Sequence, residues 1–160
     1  MSLEKSAVYW LRFKRGACVI LLERWPLCAR ARPDVFGVTR GRQTIEVEIK
    51  RTMNDFRANA RKFHVANRDN VAHQLAHFTY FLVPNSIEEK VMQELPEWAG
   101  LLIVNEHEYD IKVRKRAPMN KMAKKLSLNK ICHLGLLMGS QLYSHIPPGP
   151  RFPCEMDYEI

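Results

Sequence analysis

Thr44-Ile45-Glu46-Val47-Glu48-Ile49-Lys50 is the stretch on which the fold turns. β-Branched apolar residues at 45, 47 and 49 alternate with ionisable ones at 46, 48 and 50. A period of two marks a β-strand, whose successive side chains point to opposite faces. Ile45, Val47 and Ile49 therefore enter a core, and Glu46, Glu48 and Lys50 share the opposite face. Upstream stands the dipeptide Pro33-Asp34, opening a second strand over Val35 to Thr39. The link between the two strands, Arg40-Gly41-Arg42-Gln43, is short and contains glycine, which suits a hairpin. Hairpin pairing brings Asp34 close to Glu48.

Two carboxylates held together repel unless a cation sits between them. Hard oxygen ligands suit Mg²⁺ or Mn²⁺, with water completing the shell. Lys50, some ~7 Å further along the strand than Glu48, reaches a metal-bound water or the phosphate it attacks. This is the equipment of phosphodiester hydrolysis: a metal-activated water, and a lysine that orients it and offsets the charge growing on phosphorus oxygens. The same residues also admit a plainer reading, an acid–lysine ion pair on a strand. Glu46 reads as a neighbour that tunes the site or as a solvent-facing strand residue, rather than a ligand.

Working outward, residues 3–14 form a helix closed by Gly16, and Ala17 to Arg24 a first strand. After the hairpin, Asn54 or Asp55 caps a helix running to about Asn67, and a second helical piece covers 69–76. HFTYFLV (77–83) is a strand stopped by Pro84; Ser86 caps a short helix ended by Pro96; GLLIV (100–104) is a buried strand. YDIKVR (109–114) alternates as an edge strand with its charges outward. Helical spacing runs from about Asn120 to Tyr143, and a proline-rich tail follows. The order begins α-β-β-β-α-β, an α/β architecture around a mixed central sheet flanked by helices. The chain of 160 residues divides into one domain, 1–145, and the tail, 146–160.

The net charge of +8 is unevenly spread. Residues 1–68 carry 15 Lys/Arg against 6 Asp/Glu, residues 69–108 carry 1 against 7, and residues 109–130 carry 8 against 1. Two basic zones around an acidic one suit a polyanion, since phosphate contacts release counterions. Arg32, Arg51, Arg57, Arg61 and Lys62 flank the strand pair and are the candidate nucleic-acid contacts. Arg57, Arg61 and Arg68 share one face if the helix continues that far. A second run, Lys112, Arg114, Lys115, Arg116, Lys121, Lys124 and Lys125, suits the far side of a duplex or a solvated surface. Four cysteines without CxxC spacing argue against zinc or a disulfide framework. They fit reduced thiols in a cytoplasmic protein, and no segment reads as a membrane span or secretory signal. Trp10, Trp25 and Trp98 read as packing residues.

Pro33-Asp34 followed by Glu48-Ile49-Lys50 resembles the PD-(D/E)xK nuclease superfamily, whose common core is α-β-β-β-α-β. Arg32-Pro33-Asp34-Val35, Val47-Glu48-Ile49-Lys50, Asp55-Phe56-Arg57, Tyr80-Phe81-Leu82-Val83-Pro84 and Gly100-Leu101-Leu102-Ile103-Val104 are similar, more narrowly, to the MmcB-like DNA repair proteins within it. The match covers about residues 20–118, at these blocks only. The chain departs from that pattern after the motif: an acidic residue and a Lys-Trp pair are replaced by Asn59 and Lys62-Phe63. The resemblance implies a restriction-endonuclease-like fold. It implies Mg²⁺ (or Mn²⁺) on Asp34, Glu48 and the Ile49 carbonyl, and Lys50 as the catalytic lysine. A further acid is expected from Glu23 or, less well placed, Glu4. It also implies DNA as partner, in repair, recombination or phage and mobile-element processing, with a homodimer as one way for each strand to meet a site. Two other classes stay open: a catalytically silent nucleic-acid binder on the same fold, and a structural or adaptor protein.

Overall fold

The computed structural model describes residues 2–22, 33–59, 62, 68–72, 75–105 and 111–143. Glu23, Arg32, Arg61, Trp25 and the tail 146–160 lie outside the described residues.

Helix α1 (Leu3–Tyr9) is capped by the Ser2 hydroxyl, which accepts from the Lys5 N–H. It runs on into a π-helical turn, Trp10–Lys14, closed by a bond from the Arg15 N–H to the Trp10 carbonyl. Gly16, at φ +64°, takes the left-handed turn that ends the segment at little steric cost. The strands are β1 (Ala17–Leu22), β2 (Val35–Thr39), β3 (Thr44–Ile49), β4 (Phe78–Pro84), β5 (Gly100–Val104) and β6 (Ile111–Lys115). Helices α2 (Met53–Asn59) and α3 (Arg68–Val71) lie between β3 and β4, α4 (Glu88–Glu94) between β4 and β5, and α5 (Leu128–Tyr143) after β6.

The strands form one mixed sheet in the order β1-β2-β3-β4-β5-β6. β1 to β3 form an antiparallel meander, β3, β4 and β5 are parallel, and β6 returns antiparallel. Parallel neighbours need crossovers that cover the sheet, so β4 and β5 are buried along nearly their whole lengths and read as continuous apolar runs. Edge strand β6 buries Ile111 and exposes Lys112 and Arg114, but Val113, on the Ile111 face, is exposed as well, so the expected alternation holds only in part.

Each face of the sheet has its own cover. α1 and its extension pack on Val35, Ile45, Val47, Ile49, Tyr80, Leu82, Leu102 and Val104, with Trp10 edge-on to Tyr80 at 5.1 Å. On the other face α5 sets Leu134 against Val19, Leu21, Phe36 and Val38. Further across that face, α2 and α4 pack Phe56 and Val91 against Phe81, Val83, Leu101 and Ile103. Strand β3 lies between these two clusters and contributes no apolar side chain to this face. It presents Glu46 and Glu48 there, both only 3% exposed. Gly100 permits the close approach of β4 and of the segment after β6: a Cβ would stand 2.5 Å from the Tyr80 ring and 2.6 Å from the Ala117 nitrogen.

Several sequence expectations need correction. The helix after β3 does not run to Asn67; α2 ends at Asn59, and Lys62 lies in a bend. Arg57 and Arg68 accordingly do not share a helical face, since Arg68 opens the separate helix α3. Ser86 gives no cap bond; residues Asn85–Ile87 form a 3₁₀ turn leading into α4. Helix α5 begins at Leu128, not near Asn120. Residues 116–127 instead follow an irregular path, anchored where Asn120 donates to the Ala72 and Ala76 carbonyls. In the β2–β3 hairpin the left-handed position falls on Arg42 (φ +63°). A non-glycine residue there costs about 1 kcal/mol. The turn offsets this with mutual bonds between Thr39 and Gln43.

Candidate active site

Register places the two acids of the motif together. Val35 stands opposite Val47 and Phe36 opposite Glu46, so one step further along the antiparallel pair Asp34 faces Glu48. The Ile49 N–H donates to Asp34 Oδ2 at 2.7 Å, which fixes the aspartate against the backbone of the ExK segment. Glu48 Oε2 accepts from Lys50 Nζ at 3.0 Å and from Lys62 Nζ at 2.8 Å. Glu48 and Lys50 are both buried, 3% and 4% exposed.

The charges interact as such crowding requires. Burial, followed by repulsion from Glu48, pushes the Asp34 pKa above the usual aspartate range, against the opposing pull of the Ile49 N–H, Lys50 and Lys62. Burial also works to raise Glu48, but the Lys50 and Lys62 ammoniums outweigh it and hold its pKa below the ordinary value. Burial works to lower Lys62; attraction to Glu48 and Asp34 outweighs this and holds its pKa above the lysine range. Lys62 therefore belongs to the acid cluster, whereas the sequence placed it among the outer nucleic-acid contacts. Its position follows from the bend after α2, where its N–H donates to the Asn59 carbonyl at 3.0 Å.

Glu46 lies beside this cluster and is not solvent-facing. The Thr79 hydroxyl donates to its Oε1 at 2.6 Å, and Arg68 Nη2 donates to Thr79 Oγ1 at 3.2 Å. Arg68 also stacks on Trp98, 3.9 Å from the ring centroid. Burial drives the Glu46 pKa up to about 7, with the Thr79 bond opposing and Glu48 adding to the rise. Because the folded chain holds this proton more tightly than the unfolded one, Glu46 favours folding fully below about pH 4.5. That contribution declines as pH rises and is lost above about pH 7. Glu46→Gln mimics the protonated acid. In urea unfolding it should match the wild type near pH 4 and exceed it at pH 8.5 by an amount on the order of 3 kcal/mol. An equal difference between the two chains at both pH values would show that Glu46 does not titrate in this way.

The remaining candidates are dispersed. Arg51 pairs with Glu4 at 2.9 Å on the surface, which employs Glu4 as a counter-ion. Arg57 pairs with Glu94, both exposed. Exposed pairs of this kind are weak and screened by solvent, so a phosphate can displace either carboxylate. Trp10 is core, as its spacing predicts, while half-buried Trp98 lies by Arg68. His77 is buried and bonded to Thr44. Thr79, Arg68 and Asn59 went unrecognised as neighbours of the acids. Thr79 is the register partner of Glu46 on the neighbouring parallel strand β4, a pairing that only the crossover sets.

The donor set fits a hard divalent ion. Among the described residues no group of three or more His, Cys, Asp or Glu side chains could hold a metal, so they offer no dedicated cage. Two carboxylates with positions left to water and phosphate match how Mg²⁺ is usually bound.

No protein-family profile and no curated protein matches this chain. Among solved structures it is similar to the SPO1766 protein of unknown function from Silicibacter pomeroyi. The TM-score is 0.66 at 21% identity, over 96% of this chain and 94% of that one. The likeness supports the fold: a mixed α/β protein with helices flanking a six-stranded mixed sheet. No helix among the described residues is long and apolar enough to cross a membrane.

Proposed function

We propose that this protein is a metal-dependent nuclease that hydrolyses phosphodiester bonds in DNA, on a restriction-endonuclease-like core of the PD-(D/E)xK type. The observation that carries the proposal is the convergence of Asp34 and Glu48 from adjoining strands, with Asp34 bonded to the Ile49 N–H and Lys50 on Glu48. Further support comes from the element order α1, β1, β2, β3, α2, α3, β4, which follows the order the resemblance implies. The basic zones on either side of the acidic one favour a polyanionic substrate.

Asp34, Glu48 and the Ile49 carbonyl would hold Mg²⁺ or Mn²⁺. The bound ion would supply an acidified water and neutralise charge on the scissile phosphate. The chain's own residues do the rest. Asp34 and Glu48 are held side by side at a cost in repulsion that a cation relieves. Lys50 Nζ is directed by its bond to Glu48, within reach of a water or phosphate oxygen. Lys62 provides a second ammonium at the same carboxylate, so Glu48 remains paired when Lys50 turns to substrate. Hydrolysis breaks a phosphorus–oxygen ester bond as the water oxygen attaches, and the leaving alkoxide takes up a proton.

Cleavage of linear, nicked, flapped and four-way DNA tests the reading. The expected result is cutting of at least one substrate in Mg²⁺ or Mn²⁺, with binding but no cutting in Ca²⁺. Salt-sensitive binding with no cutting of any substrate in either metal would instead favour a silent binder. Absence of salt-dependent DNA affinity would remove nucleic acid altogether.

A further inference from the structure

Next to the acid cluster, on the same face of the sheet, lies a pocket of about 260 Å³ whose apolar walls are Phe56, Phe81, Pro96 and Trp98. Arg57 and Glu94, paired with each other, stand at its polar side. Asn59 also lines it, 4% exposed, and its Oδ1 has no hydrogen-bond partner among the described residues. A buried amide oxygen left unpaired costs about 1–3 kcal/mol, so its retention calls for an occupant with an N–H to give.

We propose that this pocket takes an unpaired nucleobase of the DNA strand. The inference rests on the nuclease reading for its substrate class, and on independent geometry for its location. Phe81 is the register partner of Glu48 across β3 and β4, and adjacent strands lie ~4.8 Å apart. A nucleotide with its phosphate at Glu48 and Lys50 therefore carries its base toward the pocket. Asn59 ties the two places together, since its carbonyl accepts the N–H of Lys62, whose ammonium lies on Glu48. The chemistry selects a flat ring with a donor edge. Half-buried Trp98 and Pro96 are the walls a flat base can lie against, over a floor of buried Phe56 and Phe81, and the unpaired Oδ1 accepts an exocyclic amine or ring N–H. An alkyl chain offers no donor, and a base still stacked in a duplex cannot enter. The site thus favours single-stranded, frayed or flipped-out positions.

The test compares two labelled single strands of equal length in Ca²⁺, one bearing bases and one wholly abasic. The wild type should bind the base-bearing strand roughly tenfold more tightly. Asn59→Leu should remove most of that preference while leaving affinity for the abasic strand unchanged. A measurement on the wild-type chain guards against misfolding of the variant. Added 2′-deoxyadenosine 5′-monophosphate should shift the Asn59 side-chain amide and Trp98 indole NMR signals, and 2-deoxyribose 5-phosphate should not. Equal affinity for both strands, or nucleotide shifts located elsewhere, would overturn the pocket while leaving cleavage to decide the nuclease reading. Base-dependent binding without cleavage would uphold the pocket and overturn hydrolysis. Failure to bind either strand would overturn both.

Discussion

Lys50→Ala should reduce DNA cleavage in Mg²⁺ by ~10³-fold or more, the scale on which charge-stabilising groups act in enzymes. The same variant should bind DNA in Ca²⁺ within about threefold of wild type, because its ammonium sits 4% exposed and bonded to Glu48, not on a surface that grips the backbone. The variant should also fold. Truncating a buried ion pair is severe when it orphans a charge, but here Glu48 keeps Lys62 at 2.8 Å. The assignment predicts a fall in kcat with little change in KM. A loss confined to KM would make Lys50 a phosphate-binding residue only, and full activity in Lys50→Ala would remove it from the chemistry.

Asp34→Asn should abolish cleavage to a comparable extent while making the metal-free protein more stable at pH 7. The substitution is isosteric, and the asparagine oxygen can still accept from the Ile49 N–H. What disappears is a charge. The Asp34 pKa is raised by burial and then by Glu48, so its contribution to folding is present below the unfolded pKa and is lost as pH rises through the folded one. At neutral pH the wild-type carboxylate is therefore a liability to the fold that a cation removes. The gain in stability should shrink as Mg²⁺ is added to the wild type, because binding to the native state stabilises it by mass action. A variant both inactive and markedly destabilised would instead point to a structural role for Asp34.

The acid pair and its strands were legible because their signals are local. Alternation in residues 44–50 and a short hairpin link determine which side chains share a face, and pairing register then puts residue 34 beside residue 48. HFTYFLV (77–83), stopped by Pro84, and the apolar run GLLIV (100–104) likewise read as strands. What was not legible depends on tertiary contacts. Nothing local indicates that the helix after the hairpin stops at Asn59, yet that stop carries Lys62 back to Glu48. Arg68 reads from sequence as one more surface cation. In the fold it is drawn inward by Thr79 and the Trp98 ring. Residues 120–127 have helical spacing, but Asn120 spends its amide on carbonyls of another segment, and the helix starts only at Leu128.

Affinity cleavage of the polypeptide by bound Fe²⁺, with ascorbate and peroxide, locates a metal site directly. Fe²⁺ substituting for Mg²⁺ should cut the wild-type backbone near residues 34 and 48, with excess Mg²⁺ suppressing the cuts and Asp34→Asn losing them. Cuts confined to other parts of the chain, or unchanged in Asp34→Asn, would contradict a shared cation between these two acids.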